Sequence, residues 1–131
     1  MTSPTERTSL RCLIVDDIDS NRAVMEKQVA IASKACKLPC VCDFAKNGLE
    51  AVELSSKHEY KLIIMDNNMP EKDGRTAARE IKVLSPRTHI IGFTATKSQE
   101  EIDECKSAGM EEVLPKNPGQ LREAVQQFMR K

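Results

Sequence analysis

No apolar run in this chain approaches the roughly 20 residues that a membrane-crossing helix needs; the longest, such as Leu62 to Met65, cover about one turn. No membrane insertion is therefore expected. A net charge is missing too: Lys plus Arg and Asp plus Glu number 20 each among 131 residues, so no overall field draws the chain to nucleic acid or to a lipid surface. The polar stretch Met1 to Ser9 lacks the apolar core and small-residue cleavage site of a secretory signal. It reads as a flexible N-terminal tail, and the expected location is cytoplasmic. The five cysteines are odd in number and scattered, which excludes a secreted disulfide framework. Cys36, Cys40 and Cys42 have neither a second C-x-x-C nor a nearby histidine to complete a zinc set, so they read as reduced, small core residues. Repeats, low-complexity segments and internal linkers are absent, and neither a Walker loop nor G-x-G-x-x-G follows the first apolar run. That excludes the common nucleotide-binding designs.

What is present is an alternation of short apolar runs with longer segments of helical period. Five strands are expected at Cys12 to Val15, Val41 to Ala45, Leu62 to Met65, Ile90 to Phe93 and Val113 to Leu114. Most are too uniformly apolar to be half exposed, which suits a parallel sheet covered on both faces. Helices are expected at about Ser20 to Ala35, Leu49 to Lys57, Arg75 to Leu84, Gln99 to Ala108 and Gly119 to Arg130. Asp19 or Ser20 is placed to cap the first, Asn47-Gly48 to open the second, Pro86 to close the third and Gly109 to follow the fourth. The length fits one α/β domain over residues 10–131, with no room for an output domain.

In open parallel sheets, ligands bind beyond the carboxyl ends of the strands. Here those ends carry Asp16 and Asp17, Asp66, Thr94 and Lys116. Singly, each has an ordinary explanation: an Asp pair caps helices, an Asp after a strand steadies a turn, and a lysine is usually solvated. Together they place three carboxylates, a hydroxyl and an ammonium on one edge. Grouped carboxylates repel and lose hydration, so a site of this kind calls for a hard divalent cation, with magnesium the expected cofactor. Asp66 is positioned as a nucleophile that forms an acyl phosphate, while Lys116 neutralises a phosphoryl oxygen and Thr94 donates a hydrogen bond.

The sequences IVDD at Ile14 to Asp17, IIMDNNMPEKDG at Ile63 to Gly74, FTA at Phe93 to Ala95 and Lys116 resemble response-regulator receiver domains of two-component signalling. Asn21-Arg22, AKNGLEAV from Ala45 to Val52 and CKSAGMEEVLPK from Cys105 to Lys116 extend the resemblance along nearly the whole chain. The resemblance implies a doubly wound, flavodoxin-like fold with strand order 2-1-3-4-5 and five helices. It implies phosphotransfer onto Asp66 from a phosphohistidine on a partner, a histidine kinase or a histidine phosphotransfer protein. It further implies that Asp17 and Asp66 ligate magnesium directly, Asp16 largely through water, and Asn68 through its backbone carbonyl. Ala95 would offer its backbone amide to the phosphoryl group, and Asn68 and Thr96 would influence access of water. Asn21-Arg22 and AGMEEVL are most like receivers of hybrid kinases and phosphorelays. Any catalysis would be self-directed, so the chain is expected to be a phosphoacceptor and not an enzyme.

Two positions depart from the pattern. An aromatic residue usually stands three places before the lysine; here it is Val113, which implies altered coupling to the surface around the fourth helix and fifth strand. Proline usually follows the lysine after a cis bond, but Asn117 stands here and Pro118 comes one place later, in a slightly short loop. A cis bond before a residue other than proline costs about 2.5–4 kcal/mol, so the loop should be strained or rerouted, leaving Lys116 free to sit away from the acids. These departures support an alternative, a degenerate receiver that serves as a phosphorylation-independent interaction module. A phosphatase of the haloacid dehalogenase type is disfavoured, because it needs an Asp where Asn68 stands.

Overall fold

The computed structural model describes residues 9–69 and 71–131; apart from Ser9, the expected tail lies outside them. Strands β1 (Leu10–Val15), β2 (Cys40–Ala45), β3 (Leu62–Met65), β4 (His89–Phe93) and β5 (Glu112–Leu114) alternate with helices α1 (Asp19–Cys36), α2 (Gly48–Lys57), α3 (Gly74–Leu84), α4 (Gln99–Ser107) and α5 (Pro118–Met129). All neighbouring strands are parallel, in the order β2-β1-β3-β4-β5. The expected elements all form, with ends moved by a residue or two as fraying at boundaries allows.

Alternation along the strands sorts their side chains into two compartments. Leu13, Val15, Ile63, Met65 and Ile90 pack with Ala51, Ala77, Ala78, Ile81 and Cys105 on the side of α2, α3 and α4. Cys12, Ile14, Leu62, Ile64, Ile91 and Phe93 pack with Met25, Val29, Ala32, Leu121 and Val125 beneath α1 and α5. Each fully buried Leu, Ile or Val contributes about 1.5–3 kcal/mol relative to exposure. The uniform burial expected from the apolar runs holds for β3 throughout and nearly so for β1 and β4, whereas β2 and β5, which among the described residues have a neighbour on one side only, stay largely half exposed. Cys12 and Cys105 are buried in the core, whereas Cys36, Cys40 and Cys42, which were expected there, are only half-buried. Among the described residues, no helix is long and apolar enough to cross a membrane.

Most helix starts follow capping chemistry. Asn47, Asp73, Ser98 and Asn117 each accept a hydrogen bond from the backbone N–H three residues on, satisfying a donor that the helix leaves free. The start of α1 differs from expectation: Ile18 holds the cap position and has no side-chain cap. Its N–H donates instead to the Asp16 carboxylate at 3.0 Å, so the acid at the strand end takes over part of that work.

The only tyrosine ties β2 to the loop before β3. The Tyr60 hydroxyl donates to Asp43 Oδ2 at 2.6 Å, and the Arg11 guanidinium joins at 3.1 Å. Burial pushes the Asp43 carboxyl up, but the Tyr60 and Arg11 hydrogen bonds and the Arg11 charge outweigh it and hold the carboxyl below its ordinary range. A carboxyl depressed on folding stabilises the fold above its unfolded pKa, and the contribution is lost as pH falls through the folded value. Tyr60→Phe should therefore cost about 1–3 kcal/mol at neutral pH in urea unfolding, with the gap from wild type narrowing once Asp43 is protonated in acid. A gap that does not vary with pH would assign the loss to packing alone.

Candidate functional site

Sheet hydrogen bonds continue one residue past three strands and fix what stands there. Asp16 N–H donates to Ala45 O, Asp66 N–H to Val15 O and Thr94 N–H to Leu114 O, at 3.0–3.1 Å. Asp16, Asp66 and Thr94 are thus held by the sheet itself and are all buried. Asp17, Asn68 and Ala95 follow these positions or lie just beyond, and are exposed.

The carboxylates of Asp16, Asp17 and Asp66 present oxygen atoms that all lie within 4.8 Å of one another. Lys116 reaches across from the loop after β5, its Nζ 3.0 Å from Asp16 Oδ2 and 3.6 Å from Asp66 Oδ2. The displaced lysine that the Asn117 substitution left open is not observed. The loop is rerouted: Asn117 N–H turns back to Pro115 O at 2.6 Å, its side chain caps α5, and Pro118 becomes the first helical residue. Proline is favoured there because its missing N–H would have no partner anyway. No cis peptide bond occurs among the described residues. The ammonium also sits 5.5 Å from the centroid of the buried Phe93 ring, a cation–π arrangement.

Asp16 is fully buried and well compensated. Beyond Lys116 and Ile18 N–H, both its oxygens lie 3.4 Å from Asn21 Nδ2, and Arg22 donates to its backbone carbonyl at 2.6 Å. For Asp66, burial lifts the carboxyl above its ordinary value; the Lys116 charge and the Asn68 N–H pull it down, and the Asp16 charge pushes it further up. An acid held this way is short of positive charge.

Asn68 Nδ2 lies 3.5 Å from Thr94 Oγ1, joining two strand ends. Thr96, expected near the water path, donates its hydroxyl hydrogen to Glu101 at 2.5 Å. Glu101 also accepts from Asn67 Nδ2 at 2.7 Å, while Asn67 Oδ1 accepts from Arg75 N–H at 3.1 Å. Hydrogen bonds from Thr96 and Asn67 hold the Glu101 carboxyl below its ordinary range. Sequence reasoning missed this link between the loops after β3 and β4; a lone glutamate in a helix's first turn reads only as a favourable dipole partner. Phe93 beneath the lysine was missed likewise, since its apolar character explained it as core.

The response regulator receiver domain family matches residues 12–126. The chain belongs to that family. Receivers are signalling phosphoacceptors of two-component systems. This one is 37% identical over 131 residues to hybrid signal transduction histidine kinase F of Dictyostelium discoideum, an alignment covering 94% of the chain and 11% of that protein. It is 30% identical over 112 residues to the sensor histidine kinase RcsC of Escherichia coli strain K12, covering 86% of the chain and 11% of RcsC. The receiver therefore spans about a tenth of these relatives. In three dimensions it matches the receiver domain of the Pseudomonas aeruginosa PAO1 sensor histidine kinase PA1611, with TM-score 0.79, 27% identity and coverage of 94% of this chain and 99% of that one. That crystal structure holds a magnesium ion coordinated in its active site cleft.

At the mouth of the site, Gly74 opens α3 directly against the backbone of Asp66. A Cβ there would lie 2.5 Å from the Asp66 carbonyl oxygen and 2.8 Å from Asn67 Cα, closer than real side chains approach backbone. Gly74→Ala should destabilise the domain by about 1–3 kcal/mol and shift the Asp66 and Asn67 amide resonances in NMR. Unchanged spectra and stability would mean that the start of α3 does not set the Asp66 loop.

Proposed function

We propose that this receiver accepts a phosphoryl group on Asp66 from a phosphohistidine of a histidine kinase or a histidine phosphotransfer protein, with Mg2+ as cofactor. The observation that carries the reading is the convergence of three carboxylates within 4.8 Å of one another, with Lys116 against two of them. Oxygen donors suit a hard cation, whose charge would favour the ionised Asp66 that burial disfavours. Asp17, Asp66 and the Asn68 carbonyl would hold the ion, with Asp16 acting through water. When bound, Mg2+ supplies positive charge that lets a phosphoryl group approach the carboxylates.

The Asp66 carboxylate attacks phosphorus; the O–P bond forms as the P–N bond to the partner's imidazole breaks. Lys116 neutralises a phosphoryl oxygen, and the Thr94 hydroxyl and the Ala95 N–H donate to others. Water later hydrolyses the acyl phosphate, with Asn68 beside its path. The persistence of Asp16, Asp17, Asp66, Thr94 and Lys116, with the lysine in reach of the acids, disfavours the degenerate interaction module. Ile18 and Val24, exposed on and before α1 at the site's rim, offer apolar contacts to the phosphodonor partner. Val113 is half-buried in β5 against Met110 and its neighbours, where a branched aliphatic side chain has no ring to swing, so output through that surface is altered.

Intact mass after incubation with acetyl phosphate should show one phosphoryl adduct on the wild type that disappears without Mg2+ or in Asp66→Asn. Lys116→Ala should bind Mg2+ yet lose at least tenfold in adduct rate, because one cation fewer faces the phosphoryl group. No adduct on a folded wild-type protein would sink the phosphoacceptor reading. Mg2+ affinity, followed by amide shifts, should weaken as pH falls, since a raised Asp66 pKa lets protons compete at milder acidity than for an ordinary aspartate.

A further inference from the structure

The edge of the sheet farthest from β5 carries thiols that the phosphoryl chemistry does not use. Cys40 and Cys42 stand two apart on β2, so their side chains leave the same face of the strand. Their sulfurs lie 3.9 Å apart. Both are half-buried and line a shallow cavity with Glu26, Ser33 and Lys34 of α1, which gives small molecules access. The remaining thiols are placed differently. Cys12 is in register with Cys42 on β1 but fully buried, Cys105 is in the opposite core compartment, and Cys36 points to the Gln126 carbonyl.

We propose that Cys40 and Cys42 are an oxidation site at which a peroxide converts the pair to an intrastrand disulfide. Closing the bond requires the sulfurs to approach by about 1.9 Å, to the usual 2.05 Å. Same-face neighbours on a strand have Cα atoms about 6.6 Å apart, near the upper end of the disulfide range. A central strand would resist the pucker this needs. Among the described residues β2 pairs only with β1, and Pro39 precedes it, so its other side gives room.

The first step is attack of the Cys40 thiolate on a peroxide oxygen. The S–O bond forms, the O–O bond breaks, and the departing hydroxide takes a proton to become water, leaving Cys40 as a sulfenic acid. Cys42 sulfur then attacks Cys40 sulfur; the S–S bond forms, the S–O bond breaks, and the hydroxyl leaves as water with the Cys42 proton. Two thiols are oxidised and one peroxide is reduced. Sharing of hydrogen bonds among the thiols favours Cys40 as the attacking group. Either thiol of the Cys40–Cys42 pair can donate to the other; the neighbouring thiols of Cys12 and Cys42 draw Cys40 below the ordinary thiol range, while Cys12 is held up by Cys40, Cys42 and its burial.

Trypsin separates the pair from every other cysteine, because cleavage after Lys37 and Lys46 releases residues 38–46 with both thiols inside. The folded full chain would be treated with hydrogen peroxide, blocked with N-ethylmaleimide and digested. The expected result is a 38–46 peptide that has lost two hydrogens and carries no maleimide, restored by dithiothreitol. Cys42→Ser should stop at the sulfenic acid, trapped by dimedone on Cys40. The proposal is overturned if that peptide still takes two maleimides at a dose that already converts methionines to sulfoxide. It is equally overturned if the bridge maps to Cys12, Cys36 or Cys105 or joins two copies. None of these readouts involves Asp66, so the outcome is independent of the phosphoacceptor reading.

Discussion

A carboxylate with no access to water stands at the end of the interior strand β1, and much of the functional end of this receiver is arranged around it. An isolated buried charge costs several kcal/mol unless it is paired and hydrogen-bonded. Asp16 meets that requirement with partners from three places: the Ile18 amide, the Asn21 side chain and the Lys116 ammonium. Each partner also fixes an element. Ile18 and Asn21 set where α1 begins, and Lys116 ties the loop after β5 back to β1. Asp66 then shares the same ammonium from the adjacent strand, and burial keeps its pKa raised even so.

The fold was legible because its signals repeat. Apolar runs of strand length, separated by helical periods and punctuated by Asn47, Gly109 and Pro86, allow few arrangements other than a covered parallel sheet. The acids were legible for a related reason: in such a sheet the residue after a strand has a known place, and the register of β1, β3 and β4 puts Asp16, Asp66 and Thr94 side by side. What the sequence hid are interactions made by residues whose type has an ordinary local use. Glu101 in a first helical turn, Phe93 in an apolar strand and Tyr60 before β3 each satisfy a local rule, and only the tertiary fold shows that each also joins two segments.

Asn117 shows how a broken motif can misdirect. Judged against the family pattern, the lost proline suggested a strained or rerouted loop and a displaced lysine; the loop is rerouted, but the lysine stays in place. Locally, the same residues form a helix start, Asn as the cap and Pro as first helical residue, and that grammar decides the path. The cysteines teach the converse. With no partners to complete a metal set, Cys36, Cys40 and Cys42 read as core residues, yet all three are half-buried, the last two on a strand that, among the described residues, has a neighbour on one side only.

The order of elements along the chain has a consequence for biosynthesis. β5 is the last strand to leave the ribosome, and Lys116 follows it, so the acids of β1 and β3 emerge first without their lysine. Until Lys116 arrives, burying Asp16 costs more, because its charged partner is missing. A chain interrupted before that point would carry every carboxylate of the site without the ammonium that balances them. The charge balance of the site is thus completed only after the last strand has been made.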